Sequence, residues 1–112
     1  MKAVRLRYAP EARRDLASIR AYISGQSGRR RAAIVTERIR DRIRGTRDMP
    51  ETGVARPEFR PDCRFVVEHP YMIYYVFAHG EMVVLRILHA ARDRDSIMRG
   101  VQEEALAFEA SA

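Results

Sequence analysis

Arg64-Phe65-Val66-Val67-Glu68-His69-Pro70-Tyr71-Met72-Ile73-Tyr74-Tyr75-Val76-Phe77-Ala78-His79-Gly80-Glu81-Met82-Val83-Val84-Leu85-Arg86-Ile87-Leu88-His89-Ala90-Ala91-Arg92-Asp93 decides the fold. Three apolar runs rich in β-branched and aromatic residues follow one another. Pro70 parts the first two, and Gly80 marks a turn between the second and third. Such runs between turn formers predict consecutive antiparallel strands, at about 64–69, 71–78 and 82–89. Polar residues interrupt them at few places: Arg64, Glu68, His69, Arg86, and then His89, Arg92 and Asp93 where the last strand ends. A small sheet protein tends to place such residues on a surface with a function.

The alternation of strand side chains assigns faces. Tyr71, Ile73, Tyr75 and Phe77 share one face, and Met72, Tyr74, Val76 and Ala78 the other. A regular last strand sets Val84, Arg86 and Leu88 opposite Val83, Leu85, Ile87 and His89. Arg86 and His89 then lie on opposite faces. A site using both needs a bulge or a strand end near Leu88. One face carries the helices and the other is at least partly open.

Upstream of this meander, residues 3–8 alternate with period two and predict a half-buried strand. Pro10 suits a first helical turn, where its missing N–H costs nothing. That helix is expected to run to about Ser24, with Ala12, Leu16, Ile19 and Ile23 on one stripe. Gly25 to Gly28 end it. A second helix, about Arg29 to Arg47, carries the stripe Ala32, Val35, Ile39 and Ile43. Residues 49–63, with Pro50, Gly53, Pro57 and Pro61, read as a loop returning to the sheet. Beyond Asp93, Ile97, Val101, Ala105 and Phe108 recur at helical spacing and predict a short C-terminal helix. The expectation is an α+β fold: an N-terminal strand, a helical hairpin, and a three-stranded antiparallel meander packed under the helices. Residues 1–93 would form the domain and 94–112 a helical tail.

At 112 residues, 46% of them hydrophobic, the chain suffices for one small core. No apolar run is long enough to cross a bilayer. The alternating start, Met1 to Arg7, reads as a strand and not as a signal peptide. A lone cysteine, Cys63, excludes an internal disulfide or a cysteine metal cluster, and the reducing cytoplasm is the compartment that suits it. His69, His79 and His89 lack metal-ligand spacing, and no glycine-rich loop cradles a phosphate. No metal and no other cofactor is called for.

The formal charge is +6. Residues 29–47 hold eight arginines (Arg29, Arg30, Arg31, Arg38, Arg40, Arg42, Arg44 and Arg47) against two acids, Glu37 and Asp41. That imbalance equals the excess of the whole chain, so the basic character is one patch. Such a field attracts nucleic acid or an acidic protein. The plain alternative is a solvated helix face. Only Lys2 among the basic residues is lysine, and Arg is the better fork for carboxylate or phosphate.

The chain resembles the ParE/RelE superfamily of toxins from bacterial type II toxin–antitoxin pairs. Arg86-Ile87-Leu88-His89-Ala90-Ala91-Arg92-Asp93 is similar to the family's last-strand ending, Arg-(apolar)-Leu-His-Gly-x-Arg-Asp. Tyr8-Ala9-Pro10-Glu11-Ala12-Arg13-Arg14-Asp15-Leu16 resembles its strand-exit motif, Ser-Pro-x-Ala-x-x-Asp-Leu. Met49-Pro50-Glu51-Thr52-Gly53 resembles its Pro-x-x-Gly loop. The match covers roughly residues 3–93. The resemblance implies one of two activities: RelE-like members cut messenger RNA at the ribosome, whereas ParE-like members inhibit DNA gyrase. It also implies a cognate antitoxin, ParD-like, whose acidic amphipathic tail wraps the toxin in a hetero-oligomer.

Fold does not choose between the two activities, so side chains must. Cutting RNA needs a base, an acid and a cation for the phosphorane. Arg64 and Arg86 supply cations and His89 a proton carrier. RelE-like members commonly carry an aromatic, usually Tyr, near the C-terminal end and Lys or Glu before the sheet; here no Tyr follows Tyr75 and the only Lys is Lys2, so the acid–base set is incomplete. A ParE-like toxin acting by binding is therefore the expectation, with a RelE-type endoribonuclease using Arg64, Arg86 and His89 as the alternative. A third reading is a binding module or decayed toxin. Arg31, Arg38, Arg42, Arg64, Arg86, His89 and Arg92 are the candidates for contact with target or antitoxin. Each has a structural alternative: His89 bonding a backbone carbonyl, Arg86 pairing with Glu68 or Glu81 across strands, Arg92 pairing with Asp93. Tyr71, Tyr74 and Tyr75 read as core and rim aromatics.

Overall fold

Proline at position 10 starts the first helix, α1 (Pro10–Ser27), as its fixed φ allows. The flanking Ala9 is extended and offers no side-chain cap. α1 runs three residues past the expected Ser24, because Gly25 alone lowers helix stability by only about 1 kcal/mol. The break comes at Gly28, whose φ of 90° is open to glycine and strained for other residues. Gly28 both donates to the Ser24 carbonyl (3.0 Å) and accepts from the Ala32 amide (3.2 Å). One residue thus closes α1 and opens α2 (Arg29–Asp48).

The computed structural model describes residues 4–91. Arg92, Asp93 and the expected C-terminal helix lie outside the described residues. The remaining elements are β1 (Arg5–Tyr8), β2 (Val54–Ala55), β3 (Cys63–Glu68), β4 (Tyr71–Ala78) and β5 (Glu81–His89), with a 3₁₀ turn at Pro50–Thr52. The strands form one sheet in the order β1-β5-β4-β3-β2. The meander of β3, β4 and β5 is antiparallel as expected. β1 joins it parallel to β5, which the helical hairpin permits as a crossover. The stretch 49–63 is more than a loop. Val54 and Ala55 pair with Phe65 and Arg64, and the Arg56 amide continues the ladder to the Cys63 carbonyl (2.8 Å).

Two tight turns set the register. His79 and Gly80 both have positive φ, 54° and 72°, which is the two-residue hairpin turn that matches strand twist. His69-Pro70, a cis peptide, joins β3 to β4. Between Tyr74 and Tyr75 the β4–β5 register shifts, because Tyr74 faces Arg86 while Tyr75 faces Val84. Leu85 is the extra residue. This bulge overturns the regular alternation expected for the last strand. Met82, Val84 and Ile87 fall in the core under the helices, whereas Val83, Leu85 and Leu88 belong to a second cluster.

The main core packs Ala12, Leu16, Ile39 and Ile43 of the hairpin on Tyr71, Ile73, Tyr75, Val84 and Ile87 of the sheet. The second cluster holds Cys63, Phe65, Met72, Tyr74 and Leu88, with Phe59 set edge-on to Tyr74. The two β4 faces divide between the clusters as their alternation predicts. Tyr71, Tyr74 and Tyr75 are all buried core residues. Among the described residues no helix is long and apolar enough to cross a membrane.

Candidate partner-binding site

Arg86 does not pair with Glu68 or Glu81. β1 ends opposite Val84, so the edge of β5 beyond it has no strand neighbour. Asp15 on α1 occupies that place. Its carboxylate accepts from the Arg86 Nε (2.7 Å), from a terminal Arg86 nitrogen (3.0 Å) and from the Ile87 amide (2.9 Å). Both side chains are less than one-fifth exposed. A fork-shaped ion pair that also satisfies a strand amide welds α1 to the sheet. Asp15 was absent from the sequence-derived candidates. Its signal was its position in the strand-exit motif, an acid placed beside the apolar stripe of α1.

Arg64 is likewise engaged by the fold. It donates to the carbonyls of Glu51 (3.2 Å) and Gly53 (3.0 Å). Tyr75, its partner across the ladder, holds the same turn. The Tyr75 hydroxyl donates to the Pro50 carbonyl (2.5 Å) and accepts from the Gly53 amide (3.0 Å). A Cβ on Gly53 would lie 2.2 Å from that hydroxyl oxygen, so the approach requires glycine. The Pro-x-x-Gly loop is therefore clamped to the sheet by Arg64 and Tyr75.

His89 is half-buried at the far end of β5. Its ring stands edge-on to Tyr71, with centroids 5.5 Å apart, and its Nδ1 accepts from the Ala91 amide (3.0 Å). Arg64 pairs with Tyr75 and His89 with Tyr71, four residues along β4. At a rise of ~3.3 Å per residue the two are separated by about 13 Å along the strand. The sheet register therefore sets Arg64 and His89 apart, while Arg86 is turned to Asp15.

The arginines of α2 behave differently. Arg44 pairs with Asp41 and with Glu37 (2.6 Å), and Arg40 and Arg47 make long contacts with Glu37 and Asp48 (3.9 Å each). The C-terminal half of the helix is thus largely neutralised. Arg29, Arg30, Arg31 and Arg38 have no acidic partner among the described residues. Three of them fill the first turn, where the helix dipole disfavours cations.

Arg31, Arg38 and Arg42 fall on one stripe of α2 at spacings of seven and four. That stripe borders the β3–β4 turn. Arg42 donates to the Val67 carbonyl (3.3 Å) and to Thr46 (3.4 Å). Arg31 and Arg38 stand over a notch of about 230 Å³, floored by Val35, Ile39 and Tyr71 and closed by Glu68 and His69. Guanidiniums there stand above an aliphatic and aromatic floor, beside the Glu68 carboxylate. Of the sequence candidates, Arg31, Arg38, Arg42 and His89 thus gather at one end of the sheet. Arg64 and Arg86 are built into the scaffold. Among the described residues no cluster of His, Cys, Asp and Glu is suited to a metal.

A family model described as the ParE toxin of type II toxin–antitoxin system, parDE, matches residues 6–94. No curated protein matches the chain. Among solved structures, one described as the chromosomal ParDE TA system from P. aeruginosa is similar, with a TM-score of 0.68 and 21% identity over 78% of this chain and 96% of that one. At that identity the likeness speaks for the fold. The family match, by contrast, runs from β1 to just past the end of β5 and takes in the strand-exit motif, the clamped loop and the His89 strand end. The chain belongs to the ParE toxin family of type II toxin–antitoxin systems.

Proposed function

We propose that the chain acts by binding and not by catalysis, that its target is DNA gyrase, and that a cognate ParD-like antitoxin with an acidic amphipathic tail neutralises it. One observation carries this reading. The cations a nuclease would require, Arg64 and Arg86, already satisfy carbonyls and a carboxylate of the fold, while Arg31 and Arg38, without an acidic partner among the described residues, stand over a notch floored by Val35, Ile39 and Tyr71 and bordered by Glu68 and His69. Phosphorane stabilisation requires charges aimed at one reacting centre. Arg64 and His89 are held about 13 Å apart along the sheet. Free guanidiniums over an apolar floor suit a partner surface that offers carboxylates and aliphatic side chains.

The test compares two systems. Purified protein added to gyrase and relaxed plasmid is expected to block supercoiling, and added to translating ribosomes it is expected to leave messenger RNA intact. Cleavage in the ribosomal A site with normal supercoiling would replace this reading with the endoribonuclease one and return Arg64, Arg86 and His89 to catalytic roles.

A further inference from the structure

The face of the sheet turned away from the helical hairpin has its own apolar cluster, and no described helix packs on it. Its covering residues come from the segment before β3: Phe59 stands edge-on to Tyr74, and the Arg56 guanidinium lies 4.6 Å over the Phe65 ring. On the β5 side, Val83 and Leu85 are only partly buried. Beside them, at the β4–β5 turn, opens a cleft of about 720 Å³. Val76 and Val83 give it an apolar wall, and Arg5, Arg60, Asp62 and Glu81 line the rest. Asp62 pairs with Arg60 (3.0 Å) and Glu81 with Arg7 (3.2 Å), whereas Arg5 has no acidic partner among the described residues. This end of the face therefore keeps one unmatched cation.

The described residues stop at Ala91, just past the opposite end of the same face, where Leu88 pairs with Met72. The family match stops at residue 94, so the sequence that follows is this chain's own addition to the family domain. Its apolar stripe, Ile97, Val101 and Phe108, spans about 16.5 Å as a helix at 1.5 Å per residue. Along β4, Val76 lies about 13 Å and Ala78 about 20 Å from Met72, at ~3.3 Å per residue. A helix that starts over Leu88 and runs back along the sheet thus brings Phe108 to the cleft. Its charges run the matching way. No base follows Arg99, while Glu103, Glu104 and Glu109 all lie in the second half, which arrives at the Arg5 end. A helix of this length is marginal alone in water, and Gly100 weakens it further, so its stripe needs a surface to form on.

We infer that residues 94–109 fold back over the second face of the sheet as an amphipathic helix, with Phe108 in the cleft at the β4–β5 turn and Glu109 beside Arg5. A second copy of the chain is a poorer occupant, because it would bring the same unmatched cation to the cleft. The tail covers the sheet face that the hairpin leaves open, and a partner of that face must first displace it. This docking depends neither on the gyrase reading nor on the antitoxin.

The test uses the full, isotope-labelled chain with a nitroxide on Ser111→Cys; Cys63 is buried and stays unmodified. Relative to the chemically reduced label, amide cross-peaks of Arg5 and of residues 78–83 are expected to lose intensity. Amides of the β3–β4 turn, at the other end of the sheet, are expected to keep theirs. A mixture of isotope-labelled chain without nitroxide and nitroxide-bearing chain without isotope should show no loss, which separates a tail folded on its own domain from a second copy. Arg5→Glu should remove most of the loss. Adding Glu109→Arg to that variant should restore it, a rescue that an unfolded or distorted sheet could not give. Uniform intensities, a loss centred on the hairpin, a loss transferred between molecules in the mixture, or an Arg5→Glu chain that behaves as the parent would overturn the inference.

Discussion

Single side chains hold the most sensitive points of this molecule. Asp15 accepts three hydrogen bonds, two from the partly buried Arg86 guanidinium and one from the Ile87 strand amide. Removing one member of such a pair is far costlier than the pair's net contribution, so Asp15→Ala is expected to lose about 3 kcal/mol. Asp15→Asn keeps one acceptor and should lose less; urea unfolding of the two variants checks the order. Gly53 has no room for a methyl group against the Tyr75 hydroxyl. Gly53→Ala should therefore destabilise by about 1–3 kcal/mol, since the buried tyrosine must shift and release the turn. Cys63 is inert by the same logic of burial. Its thiol is pushed up from 9.0 to about 11, chiefly by burial and then by the Asp62 charge beside it. Iodoacetamide at pH 8 should leave the folded protein unlabelled and modify it in urea, as mass spectrometry can show. A raised acid pKa means the folded state holds its proton more tightly. Its stabilising contribution is thus present below pH 9 and lost as pH rises toward 11. Tyr8 and Tyr75, also raised chiefly by burial from 10.0, act in the same direction, with a loss that begins above pH 10.

Elements convert these contacts into surfaces. On α2 the buried stripe of Ala32, Ile39 and Ile43 separates two flanks: Arg31, Arg38 and Arg42 toward the β3–β4 turn, and Thr36 and Arg40 toward β1. The two flanks of the helix thus carry different charge patterns. Arg31→Glu/Arg38→Glu changes the notch flank only. That variant is expected to melt within about 0.5 kcal/mol of the parent, because exposed charges contribute little to stability. On the gyrase reading proposed above, this variant should lose most or all of the parent's block of supercoiling. Retained inhibition would move the target contact elsewhere. The same helix shows where the sequence misled. Its eight arginines form one patch in one dimension, yet Arg44, Arg40 and Arg47 reach Glu37, Asp41 and Asp48. The effective patch is its N-terminal half.

At the scale of the whole molecule, the N-terminal strand closes one edge of the sheet on which the helical hairpin packs. β1 pairs in parallel with β5, which follows it by some seventy residues, and Leu6 and Tyr8 pack on the main core. Deleting residues 1–8 should abolish cooperative thermal unfolding, because the β5 edge and the hairpin lose their common partner; circular dichroism reads this directly. The sequence alone determined the kinds of element and their order. Periodicity, prolines and glycines are local signals, and they placed the two helices and the three-stranded meander to within a few residues. Motif spacing also carried the family. The rest depended on contacts between residues distant in the chain. The bulge at Leu85, which turns Ile87 under the helices and Leu88 to the other face, has no marker within β5. The two-residue β2 is too short for any period to reveal. Asp15 and Arg86 lie 71 positions apart, and nothing local joins them. Identical guanidiniums therefore became scaffold at Arg64 and Arg86, whereas Arg31 and Arg38 meet no acidic partner among the described residues. Which of these an arginine is depends on the acids and carbonyls that folding brings within hydrogen-bond reach, and only the tertiary structure decides that.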